Sequence, residues 1–283
     1  MSKSKRILIT GSTGHLGNRL AELATEWDLI CCWHHKQPNP AISGTHVQLD
    51  LCNKTDVHQT ISYFKPNVII HTACSNRSEQ SIVPASLNIA KAASQNSARI
   101  IHLSTDMVLD GKSAPYIDDA PHNPIMSYGK VKAIAENNIS QNCTNYAIVR
   151  TSLIYGMNPI DHQTKWMINN IKSGKRTVLF TDEIRCPIWI DTLSYCLLEL
   201  ANMSSIGFLN VAGPKPMNRW EIGTKLLKLL NLENNKLVIP GLQSESNLTR
   251  PKDLTLIIKK AQGLLKTPLL DLDDALLQIR QNI

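Results

Sequence analysis

The stretch from Arg6 to Leu20, R-I-L-I-T-G-S-T-G-H-L-G-N-R-L, constrains this chain more than any other. Ile7, Leu8 and Ile9 form a short continuous apolar run, the signature of a strand covered on both faces. Gly11, Gly14 and Gly17 follow at three-residue spacing, and Leu16, Leu20, Leu23 and Trp27 then recur at helical intervals. A buried strand, a tight glycine turn and an amphipathic helix in that order form a cradle for a dinucleotide. Glycine permits positive φ and close approach of backbone amides to a pyrophosphate, and the helix N-terminus adds partial positive charge. Thr13, His15 and Leu16 lie within the same turn.

The rest of the first half alternates strand-like and helix-like segments. Strands are expected at Asp28 to Trp33, Thr45 to Leu49, Asn67 to Ala73, Ala98 to Ser104 and Tyr146 to Thr151. Helices are expected after Asn53 or Thr55, stopped by Pro66, then over Ser81 to Gln95 and from Ser127. This spacing predicts an α/β fold with a doubly wound parallel sheet, whose ligands lie at the carboxyl ends of the strands. Beyond Thr151 the alternation loosens, with helices around Gln163 to Ser173, Asp191 to Ala201 and Arg219 to Leu230 and strands at Thr177 to Phe180 and Phe208 to Val211. We therefore expect a Rossmann domain of residues 1–151 with 187–204, and a smaller C-terminal lobe of residues 152–186 with 205–283 that holds the substrate.

The second strand ends where such folds test the adenosine ribose. A preference for NAD usually places a carboxylate there, but this chain has Trp33, His34, His35 and Lys36, with no carboxylate before Asp50. A ribose 2′-phosphate would meet donors and positive charge, so NADP(H) is expected over NAD(H).

Composition excludes several other classes. No apolar run approaches the roughly eighteen residues of a membrane span, and the N-terminus leads straight into a strand, so a cytoplasmic protein is expected. The seven cysteines include no C-x-x-C pair and the nine histidines show no ligand spacing, which argues against a metal site and against a disulfide framework. A net charge of +7 is spread along the chain rather than gathered in a stripe, so a phosphorylated small ligand accounts for it better than nucleic acid.

Ser104, Thr105 and Asp106 end the fifth expected strand, and Tyr128 and Lys132 stand four apart, hence on one face, in the helix that begins near Ser127. A phenol with a free pKa of about 10 is a poor proton donor near neutrality. A cation about 5 Å away, at an effective dielectric of about 20, is worth roughly 3 kcal/mol, or some two pKa units in the useful direction. Thr105 as a donor to a carbonyl, Tyr128 as the proton source and Lys132 as the cation suit one reaction, the reduction of a ketone beside a nicotinamide.

With these residues the chain resembles the extended short-chain dehydrogenases/reductases, and among them the dTDP-4-dehydrorhamnose reductase family. The likeness spans nearly the whole length: Thr10 to Gly17, Leu103 to Gly111, Tyr128 to Lys132, Arg150 to Gly156 and Arg250 to Asp253. The resemblance implies catalytic positions for Thr105, Tyr128 and Lys132, a cofactor lined by Asp50, Leu51 and Ala73 as well as the glycine turn, and a nucleotide-sugar met by Arg185 and Arg250. Tyr128 and Lys132 would also reach the nicotinamide ribose. Family members carry aromatic residues where this chain has Met107, Leu109 and Leu153, which reshapes the sugar pocket without touching the proton donor. The expected reaction is NADPH-dependent reduction of a nucleotide-linked 4-keto-6-deoxy sugar. Epimerisation stays open, as does a non-catalytic NADP-binding role, because relatives of this family serve as a regulatory chain of methionine adenosyltransferase. Sheets of this kind often pair through two helices, which leaves a homodimer open.

Overall fold

The computed structural model describes residues 5–74, 78–204, 206–233, 235–246 and 248–281. Residues 1–4, read above as leading straight into the first strand, lie outside that set.

Local sequence explains each element of the first half. Strand β1 (Arg6–Thr10) passes through the glycine turn into α1 (His15–Leu23), where Leu16 and Leu20 are buried. Next come β2 (Asp28–Trp33), β3 (Thr45–Gln48) and α2 (Lys54–Phe64). The Asn53 side chain caps α2 by accepting from the Thr55 and Asp56 amides at 3.0 and 3.2 Å, and Lys65 leaves the helix in the left-handed region at φ 47°, just before Pro66. Then follow β4 (Val68–His71), α3 (Glu79–Gln95), β5 (Arg99–Thr105), α4 (Ser127–Asn142) and β6 (Tyr146–Thr151).

These strands form one parallel sheet in the order β3-β2-β1-β4-β5-β6, extended beyond β6 by a seventh strand, Gly207–Asn210. That seventh strand falls in the segment 205–283, which the sequence reading grouped with the lobe; its residues Phe208 and Leu209 pair with Ile148 and Val149 at the sheet edge. Apolar clusters cover both faces. Ile7, Ile9, Ile70 and Val149 pack under α1 and the helix Ile190–Leu200, while Leu8, Ile69, Ile100 and Ile148 pack under α2, α3 and α4. Strand order reverses between β1 and β4, and a sheet of this type binds ligands in the crevice above such a point.

The remaining segments surround a separate apolar cluster of Tyr155, Met167, Leu179, Met217, Leu226 and Leu276. Strand Thr177–Phe180 pairs with Val238–Gly241, for which the sequence analysis expects no strand. Four residues with a central proline carry little periodicity, and Pro240 is tolerated because this two-stranded ladder is all edge.

Candidate functional site

The crevice between β1 and β4 is a cleft of about 580 Å³. Gly11, Thr13, Gly14 and His15 line one side, His34, His35 and Lys36 the end of β2, and Asp50, Leu51 and Ala73 the opposite wall. Ten of the residues singled out from sequence thus converge on one cavity. Gly11 sits at φ +68°, and a Cβ there would lie 2.8 Å from the Ala73 backbone, so β1 and β4 close on each other only because the side chain is absent. Leu16 and Gly17 do not face the cleft. Leu16 is buried in the core, and a Cβ on Gly17 would stand 2.1 Å from the Gly11 carbonyl oxygen, so its role is to let α1 lie against the turn. The bare Cα of Gly11 and the absence of a carboxylate beside His34, His35 and Lys36 fit a phosphorylated dinucleotide. Burial pushes the His15 imidazole below its ordinary pKa, and its Nε2 has no hydrogen-bond partner among the described residues.

Thr105 ends β5 and its hydroxyl accepts from the Met107 amide at 3.2 Å, opening a single helical turn over Asp106–Val108. The N-terminus of α4 is pressed onto that turn: a Cβ at Gly129 would be 2.0 Å from the Met107 carbonyl oxygen. Glycine after Tyr128 is therefore what brings the tyrosine up to the Thr105 strand end. The Cys74 thiol, at the cleft wall, approaches the Tyr128 hydroxyl at 3.9 Å. Lys132, one turn further along α4, is 3% exposed, and its ammonium donates to the Leu103 carbonyl at 2.6 Å and lies 3.2 Å from His102 Nε2. Burial lowers its pKa from the ordinary lysine value.

Below these groups runs a charged network that sequence reading did not anticipate. Glu136, fully buried on α4, receives Arg150 at 2.9 Å, His122 at 2.6 Å and the Ser104 hydroxyl. Arg150 also donates to the Ala120 carbonyl at 2.7 Å, tying the loop after β5 to β6. Burial works against the Glu136 charge, but the hydrogen bonds from His122 and Arg150 outweigh it and leave the carboxyl below its ordinary pKa. The only forewarning in sequence is Glu136 standing four residues after Lys132 in an otherwise mixed helix.

A second cleft, of about 490 Å³, opens in the C-terminal lobe between Trp166, Arg176, Phe180, Glu183, Arg219 and Arg250. Arg250, expected to meet the nucleotide-sugar, lines this cleft. Arg185 does not: it is 3% exposed and committed to Glu183 at 3.1 Å, to Asp106 at 4.0 Å and to the Ile184 carbonyl at 3.0 Å. Its guanidinium also meets the Met107 sulfur at 3.8 Å, so Met107 is packed against the lobe, while Leu153 joins the lobe's apolar cluster. Arg219, which sequence reading missed, lies 3.9 Å from Glu183 and lines the cleft. A cation at the first position of a helix opposes the macrodipole, and that placement was the available signal. Gly111 shows why two distant motifs meet: at φ +74°, a Cβ there would lie 2.5 Å from Pro251.

A parallel sheet with a dinucleotide-shaped crevice at its switch point, and a Tyr128/Lys132 helix beside it, defines the chain as a Rossmann protein of the extended short-chain dehydrogenase/reductase type. Comparison with known proteins narrows this. Residues 5–282 match the model of the RmlD substrate binding domain, and the chain belongs to that family. It is 30% identical over 254 residues to methionine adenosyltransferase 2 subunit beta of Xenopus laevis, covering 83% of this chain and 75% of that one. It is also 30% identical over 213 residues to dTDP-4-dehydrorhamnose reductase of Aggregatibacter actinomycetemcomitans, covering 71% and 69%. Among solved structures, dTDP-4-dehydrorhamnose reductase of Bacillus anthracis in complex with NADP superposes with a TM-score of 0.83 at 24% identity, over 99% of this chain and 100% of that one.

Proposed function

We propose that the protein reduces the keto group of a nucleotide-linked 4-keto-6-deoxy sugar at the expense of NADPH. The observation that carries this reading is the placement of Tyr128 at the start of α4, held against the Thr105 strand end by Gly129 and backed by the buried Lys132 ammonium. NADPH, when bound, supplies the hydride that reduces the carbonyl carbon. The chain supplies the rest. Gly11, Gly14 and Thr13 take the diphosphate at the α1 N-terminus, and His34, His35 and Lys36 take the 2′-phosphate. Thr105 donates a hydrogen bond to the keto oxygen, Tyr128 transfers its phenolic proton to that oxygen, and Lys132 stabilises the tyrosinate left behind. Arg219 and Arg250, both beside Glu183, present cationic charge to a diphosphate, with Trp166 and Phe180 available to a base.

NADPH oxidation against a panel of nucleotide-linked 4-keto-6-deoxy sugars, with Tyr128→Phe alongside, tests the reading. The parent consumes NADPH with one member of the panel, and the phenylalanine variant does not.

A second reading has support of its own. Methionine adenosyltransferase 2 subunits beta match most of the chain, and the sugar-facing positions Met107 and Leu153 are packed against Arg185 and the lobe cluster. On that reading the protein binds NADP and associates with a methionine adenosyltransferase. Comigration of the two purified proteins in size-exclusion chromatography, together with no turnover of the panel, would establish it.

A further inference from the structure

The sheet buries an unusual row of side chains behind Lys132. Thr10, His71 and His102 are register neighbours on β1, β4 and β5, so all three project from the same face. His71 Nδ1 is 2.8 Å from the Thr10 hydroxyl, the two imidazoles are 5.2 Å apart between centroids, and His102 Nε2 is 3.2 Å from Lys132 Nζ. Both histidines are 1% exposed. No carboxylate forms an ion pair with Lys132 among the described residues. Glu136, one turn along α4, is the nearest acid that acts on it, and its oxygens are taken by Arg150, His122 and Ser104. The other titratable groups coupled to the ammonium are Cys74 and His71, and Tyr128 stands one turn before Lys132 on α4.

An ammonium ion in such a place needs neutral acceptors; the Leu103 carbonyl is one, and His102 Nε2 is a second in the tautomer that carries its proton on Nδ1, a nitrogen with no partner among the described residues. We infer that His102 is a positioning residue for Lys132: as the neutral tautomer protonated on Nδ1, it accepts an ammonium hydrogen at Nε2 and keeps the lysine charged beside Tyr128. Two acceptors fix two of the three N–H directions of a tetrahedral ammonium and thereby fix the third. Burial holds His102 well below the ordinary imidazole pKa and His71 at about 3, so neither competes with Lys132 for the proton at neutral pH. His71, anchored to Thr10, fills the space beside the His102 ring. The assignment deepens the reductase reading and rests on it for its role in turnover, but the local electrostatics can be measured without a substrate.

The experiment follows the ionisation of Tyr128 by tyrosinate absorbance, taken as the difference between each protein and its own Tyr128→Phe version. The parent protein sets the reference midpoint for Tyr128. His102→Leu removes the acceptor, Lys132 loses its proton at lower pH, and the Tyr128 midpoint rises by about one unit, the scale of a single hydrogen bond to a charged group. His102→Gln, which retains an acceptor, restores the parent midpoint. An unchanged midpoint in a folded His102→Leu protein overturns the assignment, as does an equal rise in both variants, which would reflect packing alone. Should His102→Leu fail to fold, the ¹⁵N shifts of the parent's imidazoles decide. His102, assigned through His102→Gln, must carry its proton on Nδ1, and a proton on Nε2 refutes the proposal. A shifted Tyr128 midpoint in a protein that turns over no sugar would leave this assignment intact and count against the reductase reading alone.

Discussion

Gly129→Ala is the perturbation whose size can be worked most directly from the structure. The added Cβ would stand 2.0 Å from the Met107 carbonyl oxygen, 2.9 Å from that carbonyl carbon and 2.9 Å from the Pro124 side chain. Carbon and oxygen in ordinary close contact are about 3.3 Å apart, so the start of α4 must retreat by roughly 1.3 Å. Neither obstacle is the tip of a flexible side chain. The carbonyl belongs to the turn that Thr105 caps, so the displacement falls on the separation between Thr105 and Tyr128. A misplacement of about 1 Å in a reacting group costs on the order of 100-fold in rate, equivalent to about 2.7 kcal/mol. Overpacking of this kind removes roughly 1–3 kcal/mol of stability as well. The measurements are kcat at saturating NADPH, NADPH affinity by fluorescence, and a urea unfolding midpoint. The expected pattern is kcat down about 100-fold with NADPH affinity far less affected, because the glycine turn and β2 do not depend on α4. A folded Gly129→Ala protein with parental kcat would refute the argument, and so would a loss confined to NADPH binding.

Further outcomes follow from the same geometry. Tyr128→Phe lowers kcat by about 10²–10⁴-fold while leaving NADPH titration unchanged, read by stopped-flow absorbance and fluorescence. Gly17→Ala, whose Cβ would meet the Gly11 carbonyl at 2.1 Å, abolishes NADPH binding and lowers the unfolding midpoint, because α1 can no longer lie on the turn. Glu136→Gln strands the buried Arg150 guanidinium and costs about 3–5 kcal/mol in chemical denaturation. Stability also falls on acidification. His71, neutral in the folded state down to a pKa of about 3, takes up a proton when unfolded below about 6.5, so its contribution is complete above that pH and is lost as pH drops toward 3. Between pH 6.5 and 5 that amounts to about 2 kcal/mol, and His71→Asn flattens the dependence.

The first half of the fold was legible because its signals are local. Ile7 to Ile9, the three glycines and the Asn53 cap each specify their own backbone, and β2 and β6 begin and end where the apolar runs do. The lobe was harder to read. Val238–Gly241 pairs only at an edge, and Gly207–Asn210 returns to a sheet whose other strands ended more than fifty residues earlier, a contact that no short-range pattern encodes. Site residues divided along the same line. Gly11 and His34 follow from position in a βαβ unit and Ala73 from the family resemblance, whereas Glu136, His102 and Glu183 act through partners distant in sequence. Arg185 shows the converse: the family resemblance pointed it to substrate, but its depth in the fold gives it to Glu183 and Asp106.

The central claim is that Tyr128, set beside a dinucleotide crevice, protonates a keto oxygen. Its most direct test is single-turnover NADPH oxidation by the purified protein against nucleotide-linked 4-keto-6-deoxy sugars, followed for the parent and for Tyr128→Phe. Rapid oxidation by one sugar in the parent, lost in the phenylalanine variant although NADPH still binds, is the expected result. Tight NADPH binding with no oxidation by any sugar, or oxidation that persists without the Tyr128 hydroxyl, would contradict it.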